Sequence, residues 1–112
     1  MKARIPGAPQ GGQAAMLQRL QDMQDQMQRT QEEVEATDFV ASAGGGVVEA
    51  TVTGAKVVKD IKISPEAVDP EEVEMLQDLV IAAVNEALRK AEDAMVQGME
   101  KAKGGLNIPG LF

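Results

Sequence analysis

The chain contains no cysteine, histidine, tryptophan or tyrosine, and its only aromatic side chains are Phe39 and Phe112. Each absence removes a class of chemistry. Without cysteine there is no disulfide framework and no thiolate metal site, and a reducing compartment is allowed. Without histidine as well, nucleophile–histidine triads and histidine-ligated metals are excluded. No stretch is long and apolar enough to span a bilayer, and the opening M-K-A-R-I-P lacks the apolar core of a signal peptide. A soluble, cytoplasmic protein with no membrane association is therefore expected. With so few rings, methionine, leucine and valine must fill the core. Stacking platforms for single-stranded nucleic acid are disfavoured for the same reason.

What is present is organised around residues 38–64, a glycine-marked β segment between two long helical patterns. The run Val47-Val48-Glu49-Ala50-Thr51-Val52-Thr53 is β-branched and half alternating. Gly54-Ala55 interrupts it, and a second apolar-alternating run follows from Val57 to Ile63. A two-residue type II′ turn at Gly54-Ala55 is the simplest hairpin. It sets Val52 against Val57, Ala50 against Lys59 and Val48 against Ile61, giving one mainly apolar face. The same register sets Glu49 against Asp60, an unfavourable like-charge pair. A one-residue slip would be worse, because it moves Asp60 and Lys62 onto the apolar face. Gly44-Gly45-Gly46 reads as a tight connection into the first of these strands. No G-x-x-x-x-G-K-[ST] pattern follows it, so a phosphate cradle is not indicated.

The helix before the sheet is expected from Gln13 to about Ala36. Its apolar positions Met16, Leu20, Met23, Met27, Thr30 and Val34 form a narrow heptad seam. So narrow a stripe favours packing against one partner helix, from a second chain or from a long hairpin, over covering a sheet. The second helix has a marked start. Asp69 can cap it, Pro70 suits its first position and Glu72 completes a D-x-x-E box. Its broad apolar stripe, Val73, Leu76, Leu79, Val80, Ala83, Val84, Ala87, Leu88 and Ala91, is core-facing. The length supports one domain. The expected division is a flexible Pro/Gly-rich tail over residues 1–12, an α+β domain over 13–103 and an apolar tail over 104–112. Neither helix nor sheet can bury itself in a monomer, so an obligate homodimer is expected.

Carboxylates are plentiful but form no catalytic set. Glu32-Glu33, Glu71-Glu72 and Glu92-Asp93 are neighbours on helices, where adjacent side chains point apart. No serine, lysine or histidine converges on them, and no EF-hand spacing occurs. A non-enzymatic protein without metal or cofactor is expected. The net charge is −7, yet the acids crowd around residues 66–78. The basic residues Lys2, Arg4, Arg19, Arg29, Lys101 and Lys103 lie towards the two ends of the chain. Several have an acid within helical reach: Arg19 with Asp22, Arg29 with Asp25, Lys103 with Glu100, and elsewhere Lys90 with Glu86.

Taken together, the pattern resembles the YbaB/EbfC family of bacterial nucleoid-associated proteins. The residues that carry the likeness are M-L-Q-R-L-Q-D-M-Q-D-Q-M-Q-R-T-Q-E-E-V, A-G-G-G-V-V-E-A-T-V-T-G, V-K-D-I-K-I-S-P, E-E-V-E-M-L-Q-D-L-V-I-A-A-V-N-E-A and G-G-L-N-I-P-G-L-F. The resemblance implies an α-β-β-β-α protomer with a small antiparallel sheet and two long helices. It also implies a tweezer-like homodimer that binds double-stranded DNA with low sequence specificity and helps organise the nucleoid. The alternative is a protein–protein adaptor of the replication or recombination machinery, acting through the apolar tail and the acidic helix face. The DNA-contacting candidates are Lys2, Arg4, Arg19, Arg29, Lys101 and Lys103, with the strand lysines Lys56, Lys59 and Lys62 in reserve. The dimer and core candidates are Met16, Leu20, Met23, Met27, Val48, Val52, Val57 and Ile61.

Overall fold

A computed structural model describes the backbone of residues 7–104 and the side chains from residue 12 onward. The order of elements is α1 (Gly7–Glu35), β1 (Asp38–Ala43), β2 (Val48–Thr53), β3 (Val58–Ile63) and α2 (Val73–Gly104). The α-β-β-β-α expectation holds. The strands form one antiparallel sheet in the order β1-β2-β3. Helical backbone begins at Gly7, within the stretch expected to be a tail. Pro9 falls in that first turn, where a missing amide donor costs nothing. Residues 1–6 and most of the expected apolar tail lie outside the described residues.

The three glycines between β1 and β2 all have positive φ, at 65°, 73° and 99°. This left-handed run turns the chain within Gly44–Gly46 and is open only to glycine at low cost. Cross-strand pairs Phe39–Val52, Ala41–Ala50 and Ala43–Val48 then share one face. Helix α2 lies across this face of β1 and β2. Ala83, Ala87 and Ala91, spaced four apart, are fully buried against Val48, Ala50 and Val52. Small residues on both sides let helix and sheet approach closely. Leu76, Leu79, Val80, Val84 and Leu88 flank that contact and are partly buried.

The hairpin register differs from the one expected. The loop spans residues 54–56, not two residues: Lys56 N–H donates to the Thr53 carbonyl at 2.8 Å and Thr53 N–H to the Val57 carbonyl at 2.9 Å. Lys56 itself takes the left-handed conformation, φ 67°, the geometry of a three-residue hairpin loop. That extra residue would by itself place Asp60 and Lys62 on the apolar face. A bulge opposite the Thr51/Val52 step, with Lys59 as the extra residue, restores the alternation. The observed pairs are Val52–Val58, Ala50–Ile61, Glu49–Lys62 and Val48–Ile63. The feared Glu49–Asp60 conflict is thereby replaced by opposite charges. Val57 leaves the apolar face and is 58% exposed.

The start of α2 also differs. Asp69 Oδ1 accepts from Glu71 N–H at 2.9 Å, and Glu72 N–H donates to the Asp69 carbonyl at 2.9 Å. These bonds close a turn ahead of the helix, whose first residue is Val73 rather than Pro70. The Asp69 carboxylate is used within that turn and does not cap α2.

Helix α1 does not cover the sheet. It runs antiparallel along the C-terminal part of α2, so that Met23, Met27, Thr30 and Val34 of the seam face a helix of the same chain. Met23, Met27, Thr30 and Val34 are half-buried, and Gly98 of α2 opposes Thr30. The Arg19–Met23 level of α1 meets Lys101 and Ala102. The molecule measures 89 × 25 × 16 Å, with a radius of gyration of 23.2 Å. A compact chain of this length would have about 13 Å. A two-helix arm thus projects from a small sheet-and-helix base.

Candidate nucleic-acid interface

The ends and the middle of the sequence differ sharply in charge. Residues 1–31 and 95–112 contain six basic side chains, Lys2, Arg4, Arg19, Arg29, Lys101 and Lys103, against three acids, Asp22, Asp25 and Glu100. Residues 32–94 contain the other five basic side chains and fifteen acids. The ends therefore carry a balance of +3 and the middle −10, which together make the −7 of the whole chain. Folding carries part of this division into space: Arg19, Arg29, Lys101 and Lys103 lie on the paired length of α1 and the end of α2, while Glu32, Glu33 and Glu35 close α1 where it joins the base.

Within the arm, Arg19 and Lys101 line one groove between α1 and α2, together with Asp22, Met23, Gln26 and Thr30. Arg29 lies ten residues from Arg19, roughly 15 Å along the helix. Lys101 and Lys103 occupy the last turn of α2, where the helix dipole favours cations. Arg19, Arg29, Lys101 and Lys103 are all exposed, and none makes an ion pair among the described residues. The pairings with Asp22, Asp25 and Glu100 suggested by helical spacing do not form. Asp22 instead accepts from Gln18 Nε2 at 3.0 Å. Lys2 and Arg4 lie outside the described residues.

The basic residues of the base are differently placed. Lys56 pairs with Glu92, and Lys59 Nζ lies 2.7 Å from Asp38 Oδ2. Lys62 stands opposite Glu49 across the ladder. Arg89 grips Glu86 at 2.6 Å, and this hydrogen bond, with the guanidinium charge, holds the Glu86 carboxyl below its usual range. Lys90, which spacing had matched to Glu86, donates to the Val40 carbonyl at 2.8 Å instead. Lys56, Lys59, Arg89 and Lys90 are thus engaged within the protein, whereas Arg19, Arg29, Lys101 and Lys103 make no ion pair among the described residues.

Of the core and dimer candidates, Val48 and Val52 are fully buried, and Met23 and Met27 are half-buried under α2. Met16, Leu20, Val57 and Ile61 are 44%, 38%, 58% and 37% exposed. Two glycines that matter were missed by sequence reasoning, Gly54 as a contact point with α1 and Gly98 as the seat of Thr30. An isolated glycine inside a long helical pattern is the signal that could have found Gly98. Among the described residues, no three acidic side chains converge on a metal site, and no helix is long and apolar enough to cross a membrane.

A family model described as the YbaB/EbfC DNA-binding family matches residues 10–106. The chain belongs to that family. A nucleoid-associated protein of Clostridium acetobutylicum is 50% identical over 110 residues, covering 98% of both chains. Another, from Alkaliphilus metalliredigens, is 54% identical over 97 residues, 87% of this chain and 85% of its own. The crystal structure of an uncharacterized protein from Helicobacter pylori superposes with a TM-score of 0.58 at 22% identity. It covers 70% of this chain and 90% of that one, and at this identity it speaks to the fold alone. The family match spans both helices and the whole sheet, so the charged arm belongs to the family domain.

Proposed function

We propose that the protein binds double-stranded DNA as a homodimer, through the arms, with low sequence specificity, and so helps to organise the nucleoid. One observation carries this reading. Arg19, Arg29, Lys101 and Lys103 stand on the outer length of the arm with no ion pair among the described residues, and most of the acids lie outside that length, so the outer arm can approach a polyanion with the least repulsion. Contacts by Arg19, Arg29, Lys101 and Lys103 to phosphates would position the protein without reading bases. The family and the nucleoid-associated relatives support DNA as the ligand.

The homodimer is supported by the uncovered part of the sheet. Val58, Ile61 and Ile63 continue the apolar face of Val52, Ala50 and Val48 across the ladder. Helix α2 stops short of them, and they are 44%, 37% and 39% exposed. Among the described residues the largest fully buried side chains are two valines, a small core for so long a molecule. A second copy placed on β3 would enlarge that core and set two basic arms on one body. Fluorescence anisotropy with a DNA duplex across a salt series tests the reading. Affinity should fall steeply as salt rises, through counterion release. Salt-indifferent binding, or none at low salt, would leave the protein–protein adaptor as the better description.

A further inference from the structure

We propose that residues 105–112 fold back along the first part of α1 in the same chain and cover Met16, Leu17 and Leu20. The seam of α1 is continuous in sequence but only partly covered. Met23, Met27, Thr30 and Val34 are half-buried, while Met16 and Leu20 on the same stripe are 44% and 38% exposed, and the adjacent Leu17 is 61% exposed. The cover ends because α2 ends. Its described length stops at Gly104, just past the level where Lys101 and Ala102 meet Arg19 and Met23.

The two helices run antiparallel, so the chain leaving Gly104 is directed towards Met16. The next eight residues, G-L-N-I-P-G-L-F, carry four large apolar side chains and no charged one. Eight extended residues reach about 26 Å. Met16 lies seven residues from Met23, about 10 Å of helix, so the strip is well within reach. Pro109 prevents a regular continuation of α2 through the segment and suits an extended strand laid on a helix face. Tethering favours the same chain over a second copy, because a short linker holds the segment at millimolar effective concentration. The contact would clamp together the helix ends that bear Arg19, Lys101 and Lys103.

The absence of native cysteine permits a clean test without DNA, so its failure is distinct from failure of the DNA-binding reading. The double variant L17C/G110C is compared with Q18C/G110C, Gln18 being on the opposite side of α1 from Leu20. Mild oxidation at low micromolar protein should close an intrachain disulfide about tenfold faster in the first, since bridging demands close and oriented Cα atoms. Equal rates overturn the proposal. A predominantly interchain product overturns it in favour of a second copy on the strip. A second measurement guards against a misfolded double variant. With L17C alone, adding L111S and F112S should raise the reactivity of the thiol towards a soluble reagent several-fold, and unchanged reactivity again overturns the contact.

Discussion

Gly54 sits directly on the last turn of α1: a side chain of one carbon there would stand 1.8 Å from the carbonyl oxygen of Val34. The Gly54 N–H donates to the Thr37 carbonyl at 3.0 Å, and Thr37 N–H donates in turn to Val34 at 3.0 Å. The exit of the arm is thereby fastened to the β2–β3 loop through backbone alone. Gly54 has no positive φ, so its role is close approach rather than turn conformation. Gly54→Ala should therefore destabilise the protein by about 3 kcal/mol, the upper range for overpacking, because backbone cannot move aside as a side chain can. Urea denaturation measures this. A loss under about 1 kcal/mol, the ordinary scale of a point mutation, would show that the helix exit is not held by this contact.

Gly98 and Thr30 form a second close approach, of a softer kind. A Cβ on Gly98 would lie 2.7 Å from Thr30 Cγ2, a side-chain atom. In a free helix, Gly→Ala gains about 1 kcal/mol from propensity. Here the threonine methyl should cancel that gain or reverse it. In a Thr30→Ser background, which removes the methyl, the same Gly98→Ala change should become stabilising by about 1 kcal/mol. The sign reversal in a four-member denaturation cycle is the readout. Equal effects in both backgrounds would separate the two residues.

Much of this fold was legible in the sequence, for reasons that are local. The heptad seam of α1 and the broad stripe of α2 each follow from helical period, and the three glycines before β2 mark a tight turn. What period cannot show is how many residues a hairpin loop spends before pairing starts. Lys56, a residue not favoured at positive φ, takes the left-handed position, and Lys59 bulges to return Ile61 and Ile63 to the apolar face. Those two departures compensate for Ile61 and Ile63, which keep the expected face while Val57 leaves it, and the partners shift by one residue at Val52 and by two at Ala50 and Val48. The cations show the same limit. Helical spacing paired Lys90 with Glu86, but tertiary structure sends Lys90 to the Val40 carbonyl and leaves Glu86 to Arg89.

Val48 and Ile61 test the sheet from its covered and uncovered sides. Val48 is fully buried beneath α2, so Val48→Asp places an unpaired charge in the core and should unfold the chain, at a cost above about 4 kcal/mol. Ile61 is partly exposed in the protomer, and its substitution by Asp should act by breaking the proposed dimer. Sedimentation at micromolar concentration should find I61D without its dimer and without a cooperative unfolding transition. Val40→Asp, on the opposite face of the sheet and already 44% exposed, is the control. It should keep the dimer and lose at most about 1 kcal/mol. A folded, dimeric I61D would move the interface away from β3.

Arg19 and Arg29 decide whether the arm is the DNA-binding surface. Both are exposed and unpaired among the described residues. Each phosphate contact contributes about 0.9 to the slope of log affinity against log salt. Replacing both arginines by glutamine removes up to four contacts from a dimer, and should flatten the slope by up to about 3.6. The loss should be nearly the same for all duplex sequences, since phosphates carry no base identity. Glutamine is a good helix former, so α1 should persist, and circular dichroism checks it. The matched control is Lys56→Gln with Lys59→Gln. These lysines already face Glu92 and Asp38, and neutralising them leaves the slope unchanged if the arm alone meets DNA. If the lysine pair flattens the slope and the arginine pair does not, DNA lies against the sheet.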